Sequence, residues 1–571
     1  MPAQKQAFAT ISEFKQWFET HVSLFGKPYT LDDDQARAVY DDHKNTLVTA
    51  RAGSGKTRVI VAKVAYLVAA QKAKLPEIAV FMFNRTAAAE VNERIGAVQV
   101  DGVSLQELNF GKPIKVASTF HKFALDTAKQ SGENPQLISE SEHDELIKNA
   151  VRKVLAEQKR KISVQEYTET LRLASSFVAR AGQQYVGQAG LQDLCADVKT
   201  YISQHQDDSN YAGKIRLHQT CLAVYQEYLL ALNFPKIDFN ILMARATRLL
   251  NNLATTSTAK NPETQIPITT KSTYQNLHKV QHLKYIMVDE YQDFSYLFFG
   301  IIQAIRSNCP EAKLFAVGDD WQAINRFAGS DVKYFIDFTK YFPEDVVNIP
   351  LSTNYRSDRK IVERANKYML THYDPKATKA IPFSKKSGKI KLINPQKIKF
   401  QKDDLAEDGL GDARYQKVLV KVCDGWPQQY LEAAQLLKTV VKVIKHHRKE
   451  QILLLHRHNF TSFPTVTLEN FYQALKIIMV EWGIMTPVQF ETQVRAMTMH
   501  KSKGLESDVV ILLELNRDQV LTCHPHATIF ELFGDTAAAE KADQHRLLYV
   551  ALTRAKHKLY LLSSDKKCCV G

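Results

Sequence analysis

The sequence predicts an α/β fold with two parallel-sheet domains, the first with a helical insertion and the second with only a rudimentary insertion. Apolar runs of strand length alternate with loops and helix-like stretches near both ends of the chain. The region between them, residues 119–275, is polar and helix-like and lacks β alternation. With 571 residues, 45% of them apolar, the chain can bury several domain-sized cores.

The first predicted sheet domain comprises residues 1–118 and 276–345, interrupted by the insertion at 119–275. The N-terminal residues, up to about position 45, show helical periodicity. The strand-like and helix-like stretches that follow are Thr46–Thr49, Arg58–Ala70, Ile78–Phe83 and Thr86–Ile95. Strand–turn–helix alternation returns near Tyr285, after a Thr/Ser/Asn/Pro stretch at 251–273 that is typical of a loop.

The second predicted sheet domain comprises residues 346–457 and 494–571. Its candidate strands are Lys389–Ile393, Ile452–Leu455, Val509–Leu513 and Leu559–Leu562.

The charge balance favours a polyanionic partner without proving one. Lys plus Arg is 75 and Asp plus Glu is 61, which gives a net charge of +14. Such a charge is typical of nucleic-acid binders, but an ordinary basic enzyme fits it equally well. Seven cysteines without a CxxC pair indicate a reducing compartment. With no signal peptide and no apolar run near 18 residues, we expect a cytoplasmic protein without a membrane partner.

A glycine-rich loop, Gly53–Thr57, stands between a predicted strand and a predicted helix. This is the context of a phosphate-binding loop, in which backbone N–H groups and the positive helix end surround phosphate oxygens. Lys56 is placed to reach the β- and γ-phosphates, and the Thr57 hydroxyl to hold Mg²⁺. Ala50 stands where such loops usually begin with glycine.

Two adjacent acids, Asp289 and Glu290, follow the apolar run Tyr285–Val288. Asp289 is placed to bind Mg²⁺ through water, and Glu290 to act as general base on the attacking water. The alternative is that both are ordinary capping acids of the next helix.

The segment Asp289–Asp293 (DEYQD) resembles motif II of the superfamily 1 DNA helicases of the UvrD/Rep family. The remaining motifs follow in family order: Asp34–Gln35 (Q motif), Phe83–Ile95 (Ia), Thr119–His121 (Ib), Val317–Gln322 (III), Asn354–Ser357 (IV), Thr498–Glu506 (V) and Leu548–Ala555 (VI). Motifs Ia, Ib and III are most similar to the helicase IV branch. The resemblance extends from residue 31 to about 562 and implies two RecA-like motor domains.

The resemblance also implies the activity, an ATP-dependent 3′→5′ DNA helicase or single-strand translocase that uses Mg²⁺. Its partners would be single-stranded and tailed duplex DNA. The implied nucleotide-binding residues are Gln35, Ala52, Gly53, Ser54, Gly55, Lys56, Thr57, Arg58, Tyr355, Arg356, Glu506 and Arg554. In the family pattern Gln35 hydrogen-bonds adenine, while Arg58 and Tyr355 flank its ring. Glu506 would contact the ribose, and Gln322 would sense the γ-phosphate and position water.

Arg356 and Arg554 resemble the arginine fingers of the family, which neutralise the charge that develops in phosphoryl transfer. Both are expected to face Lys56 across a cleft that ATP closes. The implied DNA-binding residues are Thr86, Thr119, His121, Phe327 and His500. Phe327 stands where the family has a base-stacking Trp, although a buried aromatic residue fits the position too.

Two departures from the family pattern keep three functions open. Motif III continues as Asn325–Gly329, without the usual aromatic at the first position and with Arg326 in place of an Arg expected at Ala328. The family inserts a large domain, called 2B, between the strand matching Ile452–Leu455 and motif V. Here only residues 458–493 lie at that position, fewer than the roughly 50 residues that a separate domain needs, so comparison with the family implies a rudimentary insertion. The leading hypothesis is the helicase, with a role in DNA repair or recombination. The alternatives are a translocase that strips proteins without unwinding duplex and a nucleotide-gated DNA-binding scaffold whose motor is uncoupled.

Overall fold

The structure is a computed structural model. It describes residues 8–159, 161–212, 214–258, 280–397, 413–423, 430–459, 461, 466–521 and 527–565. These residues form two compact units. The first unit contains the chain up to Ala50, Gly55–Leu351 and the described part of Pro525–Thr536. The second unit contains Arg51–Ser54, Ser352–His524 and the chain from Ala537 onward, each as far as it is described.

A parallel six-stranded sheet forms the centre of the first unit. In spatial order its strands are Val346–Leu351, Asn45–Ala50, Lys313–Gly318, Tyr285–Val288, Ile78–Met82 and Ala117–Thr119. The strands are β-branched and apolar, and both faces of the sheet are buried, as in helix-covered parallel sheets. The carboxyl ends of three neighbouring strands therefore meet at one edge, and the glycine-rich loop leaves from the second of the six.

The helices of the first unit cover this sheet and form the insertion. They are Ile11–His21, Asp33–Tyr40, Lys56–Ala69, Arg85–Ala97, Leu105–Leu108, Phe120–Gln130, Glu140–Glu157, Val164–Gln184, Gly187–His205, Ser209–Ala212, Ile215–Leu230, Phe239–Thr258, Tyr296–Asn308, Lys333–Ile336 and Phe338–Tyr341. The predicted loop at 251–273 begins inside one of these helices, and the rest of it beyond Thr258 lies outside the described residues. Two short parallel strands, Gln136–Leu137 and Lys236–Ile237, also pair in the insertion.

A small antiparallel sheet of four strands is attached to the first unit. Its strands are Lys27–Pro28, Val22–Leu24, Val98–Val100 and Val103–Ser104, in spatial order. Helical periodicity over the N-terminal residues did not indicate it, because strands of two or three residues carry too little alternation to be detected. The helix Ile11–His21 ends directly at this sheet.

A segment from the C-terminal part of the sequence packs against the helical insertion. Ile529, Phe530 and Phe533 are buried in the same cluster as the insertion helices, and the ring centroid of Phe533 lies 5.1 Å from that of Phe177. The hydroxyl of Tyr201 donates to Glu531 at 2.7 Å. The prediction that all of residues 494–571 belong to the second sheet domain therefore differs from the structure, because apolar burial draws this segment into the first unit.

The second unit is built on a parallel five-stranded sheet. In spatial order its strands are Lys389–Ile393, Ala555–Leu562, Ser507–Leu512, Ile452–His456 and Val494–Thr498. Its helices are Arg359–His372, Ala413–Cys423, Leu431–His447, Leu468–Glu481, Pro487–Gln493, Arg517–Val520 and Ala537–Leu552. A further short pair joins Thr353–Asn354 to Ile381–Pro382.

The predicted α/β fold class with two parallel sheets is confirmed. The boundary predicted between residues 345 and 346 differs from the structure, since Val346–Leu351 pairs in parallel with Asn45–Ala50 in the first sheet. Within 458–493, the helix Leu468–Glu481 packs into the core of the second unit and links two neighbouring parallel strands. Of the helices in the described ranges, none is long and apolar enough to cross a membrane.

A buried histidine in the insertion makes its stability pH-dependent. His218 is fully buried and hydrogen-bonded to the Tyr211 hydroxyl at 2.6 Å, and burial lowers its pKa to about 4. The unfolded histidine, with a pKa near 6.5, binds more protons than the folded one between pH 6.5 and 4, so stability falls as the pH falls through that window. We expect His218 to remove about 2 kcal/mol from the free energy of unfolding between pH 7 and pH 5.

Urea unfolding at the two pH values measures this loss. His218→Gln should have a smaller difference between pH 7 and pH 5 than the parent, whatever its stability at pH 7. His282→Gln, at an exposed position, serves as the control and should keep the parental difference. An unchanged difference in His218→Gln would show that other groups cause the acid sensitivity.

Candidate functional site

The glycine-rich loop has a backbone that other residues rarely adopt. Gly53 and Gly55 have φ angles of 74° and 85°, in the left-handed region that favours glycine. Gly55 is the N-cap of the helix Lys56–Ala69, so the positive end of that helix points into the loop. The predicted strand–loop–helix arrangement is confirmed, and it is the arrangement that binds phosphate groups in proteins.

Gln35 lies against this loop. It is buried at the start of the helix Asp33–Tyr40, where its backbone N–H donates to the carboxylate of Asp32 at 2.8 Å. A Cβ atom on Gly55 would lie 3.1 Å from Nε2 of Gln35, so the amide nitrogen approaches the loop closely. This position is consistent with an adenine contact, which stays a prediction.

Lys56 lies at the carboxyl edge of the first sheet among acidic side chains. Its Nζ is 2.8 Å from Oε2 of Glu290. Burial acts to lower its pKa, but three nearby carboxylates, those of Glu290, Asp289 and Asp319, outweigh burial and raise the pKa above the usual lysine value. Lys56 is therefore a fixed cation at the place where the strand ends meet.

The glutamate that faces Lys56 is held by a network of buried polar groups. Glu290 has a φ of 49°, an unusual left-handed conformation for a residue with a side chain. The Gln292 amide donates to the Glu290 carboxylate and accepts the backbone N–H of Asp319 at 2.8 Å. Nε2 of Gln322 donates to the carboxylate of Asp319 at 2.6 Å. The structure thus joins Gln322 and Glu290 in one hydrogen-bond network, and the predicted catalytic roles of both residues stay predictions.

Sequence reasoning missed the roles of Gln292 and Asp319 in this network. Both are fully buried; Gln292 lies in the helical turn Tyr291–Asp293, and Asp319 follows the strand Lys313–Gly318. Their positions within motifs II and III were the available signal, and burial explains their pairing because buried polar side chains need hydrogen-bond partners.

The side chain of Arg58 is held by Tyr29, a residue that the motifs did not indicate. The guanidinium of Arg58 lies 4.5 Å from the ring centroid of Tyr29 and donates to the carbonyl of Thr30 at 2.6 Å. The Tyr29 hydroxyl donates to the carbonyl of Arg58 at 2.8 Å. Tyr29 therefore fixes the position of the side chain that the family pattern places beside adenine.

The candidate Mg²⁺ ligands are Thr57, in the first turn of the helix Lys56–Ala69, and Asp289, which follows the strand Tyr285–Val288. Asp289 is 7% exposed at the end of its strand and accepts the backbone N–H of Glu290 at 2.9 Å. In nucleotide sites Mg²⁺ takes one or two protein ligands together with phosphate oxygens and water. In the described ranges no group of three or more His, Cys, Asp or Glu side chains is arranged to hold a metal ion. Bound at Thr57 and Asp289, Mg²⁺ would neutralise charge on the phosphates.

In the second unit, Arg356 forms an ion pair with Glu506. Nε of Arg356 lies 2.7 Å from the Glu506 carboxylate, which also contacts Nζ of Lys556 at 2.8 Å. Burial acts to raise the pKa of Glu506, but these two cations outweigh it and the pKa is lowered. Glu506 therefore stays ionised and orients Arg356; its predicted ribose contact stays a prediction.

Residues Arg51–Ser54 belong to the second unit and lie against its motif IV residues. The Asn354 amide donates to the carbonyl of Ala52 at 2.6 Å, and the backbone N–H of Tyr355 donates to the carbonyl of Gly53 at 2.9 Å. A Cβ atom on Gly53 would be 2.8 Å from Cβ of Arg356. The first part of the phosphate loop and Arg356 are therefore close neighbours, which requires glycine at position 53.

Arg554 is the most buried of the predicted site arginines. It is 1% exposed, and it donates to the carbonyls of Val550 at 2.8 Å and Leu505 at 3.1 Å. These bonds connect motif VI to motif V. Tyr355 is 40% exposed and its ring centroid lies 4.8 Å from that of Phe383. The predicted nucleotide contacts of both residues stay predictions.

The predicted DNA-binding residues fall into three groups. Thr86 and Phe327 are exposed, the phenyl ring of Phe327 by 61%, so burial of this aromatic is excluded. Thr119 is buried, and its hydroxyl accepts the N–H of Lys122 at 3.1 Å as the N-cap of a helix. Burial lowers the pKa of His121 and, to about 4, that of His500, so both are uncharged at pH 7. Their DNA contacts stay predictions.

The altered motif III is connected to the segment that packs on the insertion. Arg326 forms an ion pair with Asp535 at 3.7 Å and donates to the carbonyl of Gly534 at 3.4 Å. Asp535 also pairs with Arg180 of the insertion. The arginine that stands in for the family residue is therefore part of an interaction with residues 534 and 535.

Two parallel-sheet units and a strand–loop–helix phosphate loop define a two-domain P-loop protein. The family described as "UvrD/REP helicase N-terminal domain" matches residues 31–343, and "UvrD-like helicase C-terminal domain" matches residues 415–566. The chain belongs to the UvrD/Rep helicase family, as the motifs predicted.

Curated relatives of the chain are DNA helicases by name. The chain is 26% identical to DNA helicase IV of Escherichia coli strain K12, over 93% of this chain and 68% of that protein. It is 25% identical to a probable DNA helicase of Mycoplasma pneumoniae, over 93% of this chain and 83% of that protein. It is 26% identical to the ATP-dependent DNA helicase Rep of Escherichia coli strain K12, over 59% of this chain and 42% of that protein.

Proposed function

We propose that this protein is an ATP-dependent DNA helicase that moves 3′→5′ along a single strand and separates the strands of tailed duplexes. The observation that carries the proposal is the position of Lys56 among Glu290, Asp289 and Asp319 at the carboxyl edge of a parallel sheet. A cation beside an acidic cluster suits a triphosphate with its Mg²⁺, because the phosphates bind the amine and the metal binds the acids. Membership of the UvrD/Rep family supports the DNA substrate.

In the proposed cycle, ATP occupies the loop Gly53–Thr57 with its γ-phosphate at Lys56. Glu290 takes a proton from the attacking water. Gln322 is connected to Glu290 through the hydrogen bonds around Asp319, and it senses whether the γ-phosphate is present. Arg356 and Arg554 neutralise developing charge. Loss of the γ-phosphate then releases these contacts, and the two units change their arrangement on DNA.

The alternative of a translocase without strand separation is favoured by one observation. Residues 466–493 form helices that link strands of the second sheet, and the described part of 458–493 contains no core of its own. A large domain at this position could contact duplex DNA, but the described part of 458–493 does not form one. The scaffold alternative is favoured by Arg326, which is paired with Asp535. Functions in DNA repair or recombination and a cytoplasmic location are part of the leading proposal.

Strand displacement on three substrates tests the proposal. We expect ATP-dependent separation of a 3′-tailed duplex and at least tenfold slower separation of 5′-tailed and blunt duplexes, because a 3′→5′ motor must load on the 3′ tail. ATPase activity should rise with single-stranded DNA in the same preparation. Stimulated ATPase without displacement of any substrate would support the translocase, and ATPase that DNA leaves unchanged would support the scaffold.

A further inference from the structure

The tetrapeptide Phe-Gly-Lys-Pro occurs twice in the sequence, at Phe25–Pro28 and at Phe110–Pro113. The first copy belongs to the small antiparallel sheet of the first unit, and the second lies next to it in the chain. Phe25 and Gly26 connect its strands Val22–Leu24 and Lys27–Pro28, and the second copy follows the helix Leu105–Leu108 that leaves the sheet. We call Phe25–Lys27 and Phe110–Lys112 the Phe-Gly-Lys turns.

The two turns have the same backbone conformation. The φ angles are 51° and 72° at Phe25 and Gly26, and 56° and 70° at Phe110 and Gly111. Two positive φ angles in succession define a type I′ turn, in which Asn or Asp before Gly is strongly preferred. A phenylalanine in the left-handed region is a strained choice at either position. Turn formation therefore does not explain why both turns contain this residue.

Burial does not explain the phenylalanines either, because both rings face solvent. Phe25 is 69% exposed and Phe110 is 90% exposed, the latter more than any other large apolar residue in the described ranges. Lys27 and Lys112, which follow them, are also exposed. Each turn thus combines an uncovered aromatic face with an ammonium group.

The first turn and the helix that precedes the second turn begin at the same end of the small sheet. Leu24 pairs with Val98 and Ser104 pairs with Gln99, so Phe25 and the start of the helix Leu105–Leu108 are both near the beginning of the strand Val98–Val100. The strands Val22–Leu24 and Val103–Ser104, on either side of this strand, are about 10 Å apart. The helix between Val103–Ser104 and the second turn is only about 6 Å long, so an extended single strand of several nucleotides is long enough to reach both turns.

We propose that the Phe-Gly-Lys turns form a binding site for single-stranded nucleic acid, with bases stacked on Phe25 and Phe110 and phosphates at Lys27 and Lys112. Exposed aromatic rings beside cations are the elements of sequence-tolerant single-strand binding. Each ring is followed by glycine and lysine, at positions 26, 27, 111 and 112, and a cation beside each ring favours a polyanion over an apolar protein surface. The net charge of +14 also favours a polyanion.

This site is separate from the DNA path that the family motifs predict. It lies at the C-terminal end of the helix Arg85–Ala97, whereas Thr86 of motif Ia lies in the first turn of that helix. The rise of an α-helix of this length separates them by about 20 Å. The proposal therefore adds a second contact with nucleic acid and does not depend on ATP hydrolysis.

Equilibrium binding of a fluorescent 30-nucleotide oligothymidylate to the full chain without nucleotide tests the site. In the double variant Phe25→Asn/Phe110→Asn both turns gain the residue that type I′ turns prefer, so folding should be unharmed, as thermal unfolding will verify. We expect its dissociation constant to rise at least fivefold, since each lost aromatic stack weakens binding by roughly that factor or more. Phe25→Trp/Phe110→Trp should retain the parental affinity.

Leu108→Ala, at a 49% exposed residue next to the second turn, is the matched control and should bind as the parent does. Lys27→Ala/Lys112→Ala should lower the slope of log affinity against log salt by about 1.4, the value for two phosphates of a single strand. If the folded Asn double variant binds the oligonucleotide with the parental affinity, the proposal is overturned. The exposed rings would then be assigned to contact with a protein. Absence of ATPase in the parent would contradict the proposed motor but leave this binding test intact.

Discussion

Glu290→Gln is expected to lower DNA-stimulated ATPase activity by at least 100-fold while ATP and single-stranded DNA still bind. Removing a general base typically costs a factor of about 10² to 10⁴ in rate. The substitution keeps the size of the side chain, and Gln292 and Lys56 remain beside it. The loss should therefore be in kcat, with little change in KM for ATP, because a group that acts on the attacking water contributes mainly to the transition state.

Lys56→Ala should abolish the same activity for a different reason. The amine is the cation that offsets the carboxylates of Glu290, Asp289 and Asp319, and the proposed partner of the β- and γ-phosphates. Affinity for ATP should fall together with turnover in this variant. Steady-state ATPase with saturating oligonucleotide, together with equilibrium binding of ATP, separates the two effects.

Glu93→Gln supplies the matched control for the glutamate, since Glu93 is exposed on the helix Arg85–Ala97. It undergoes the same chemical change outside the proposed site and should hydrolyse ATP at the parental rate. Normal turnover in Glu290→Gln or in Lys56→Ala would mean that the nucleotide site has been assigned to the wrong residues.

The phosphate loop and its acids could be predicted because their signals are local. The apolar run before Asp289 and the glycines around Lys56 are read within ten residues, and parallel strands place their ends at one edge. Gln322 needed the family pattern, since no local rule connects it to Glu290. Its contact with Asp319 is a property of the folded edge.

Contacts distant in sequence were beyond prediction. Phe533 packs beside Phe177 although the two residues are far apart in the sequence. The strands Val22–Leu24 and Val98–Val100 pair across a long separation and are too short for a periodic signal. The boundary predicted after residue 345 is six residues too early, because the sequence of the strand Val346–Leu351 does not indicate which of the two sheets it joins. The partner of a strand and the surface that covers an apolar side chain decide which unit a segment joins. Neither of them can be read from a single sequence.

Arg356→Ala should lower ATPase turnover by a factor of about 10³ or more, the usual contribution of an arginine finger. The side chain is held ready by Glu506, and its backbone N–H donates to Asn354 at 3.0 Å. Asn354 in turn binds the carbonyl of Ala52 in the phosphate loop. The guanidinium is thus anchored beside residues that are expected to surround the phosphates.

Arg356→Lys should recover little of the activity, because an ammonium cannot reproduce the two-pronged contact of a guanidinium with phosphate oxygens. Arg359→Ala is the matched control, since Arg359 is half exposed at the start of the next helix and pairs loosely with Glu363 at 3.9 Å. Single-turnover hydrolysis of bound ATP isolates the chemical step in all three variants. Turnover within tenfold of the parent in Arg356→Ala would remove this arginine from the transition state, and neutralisation of the γ-phosphate would then rest on Lys56 and Arg554.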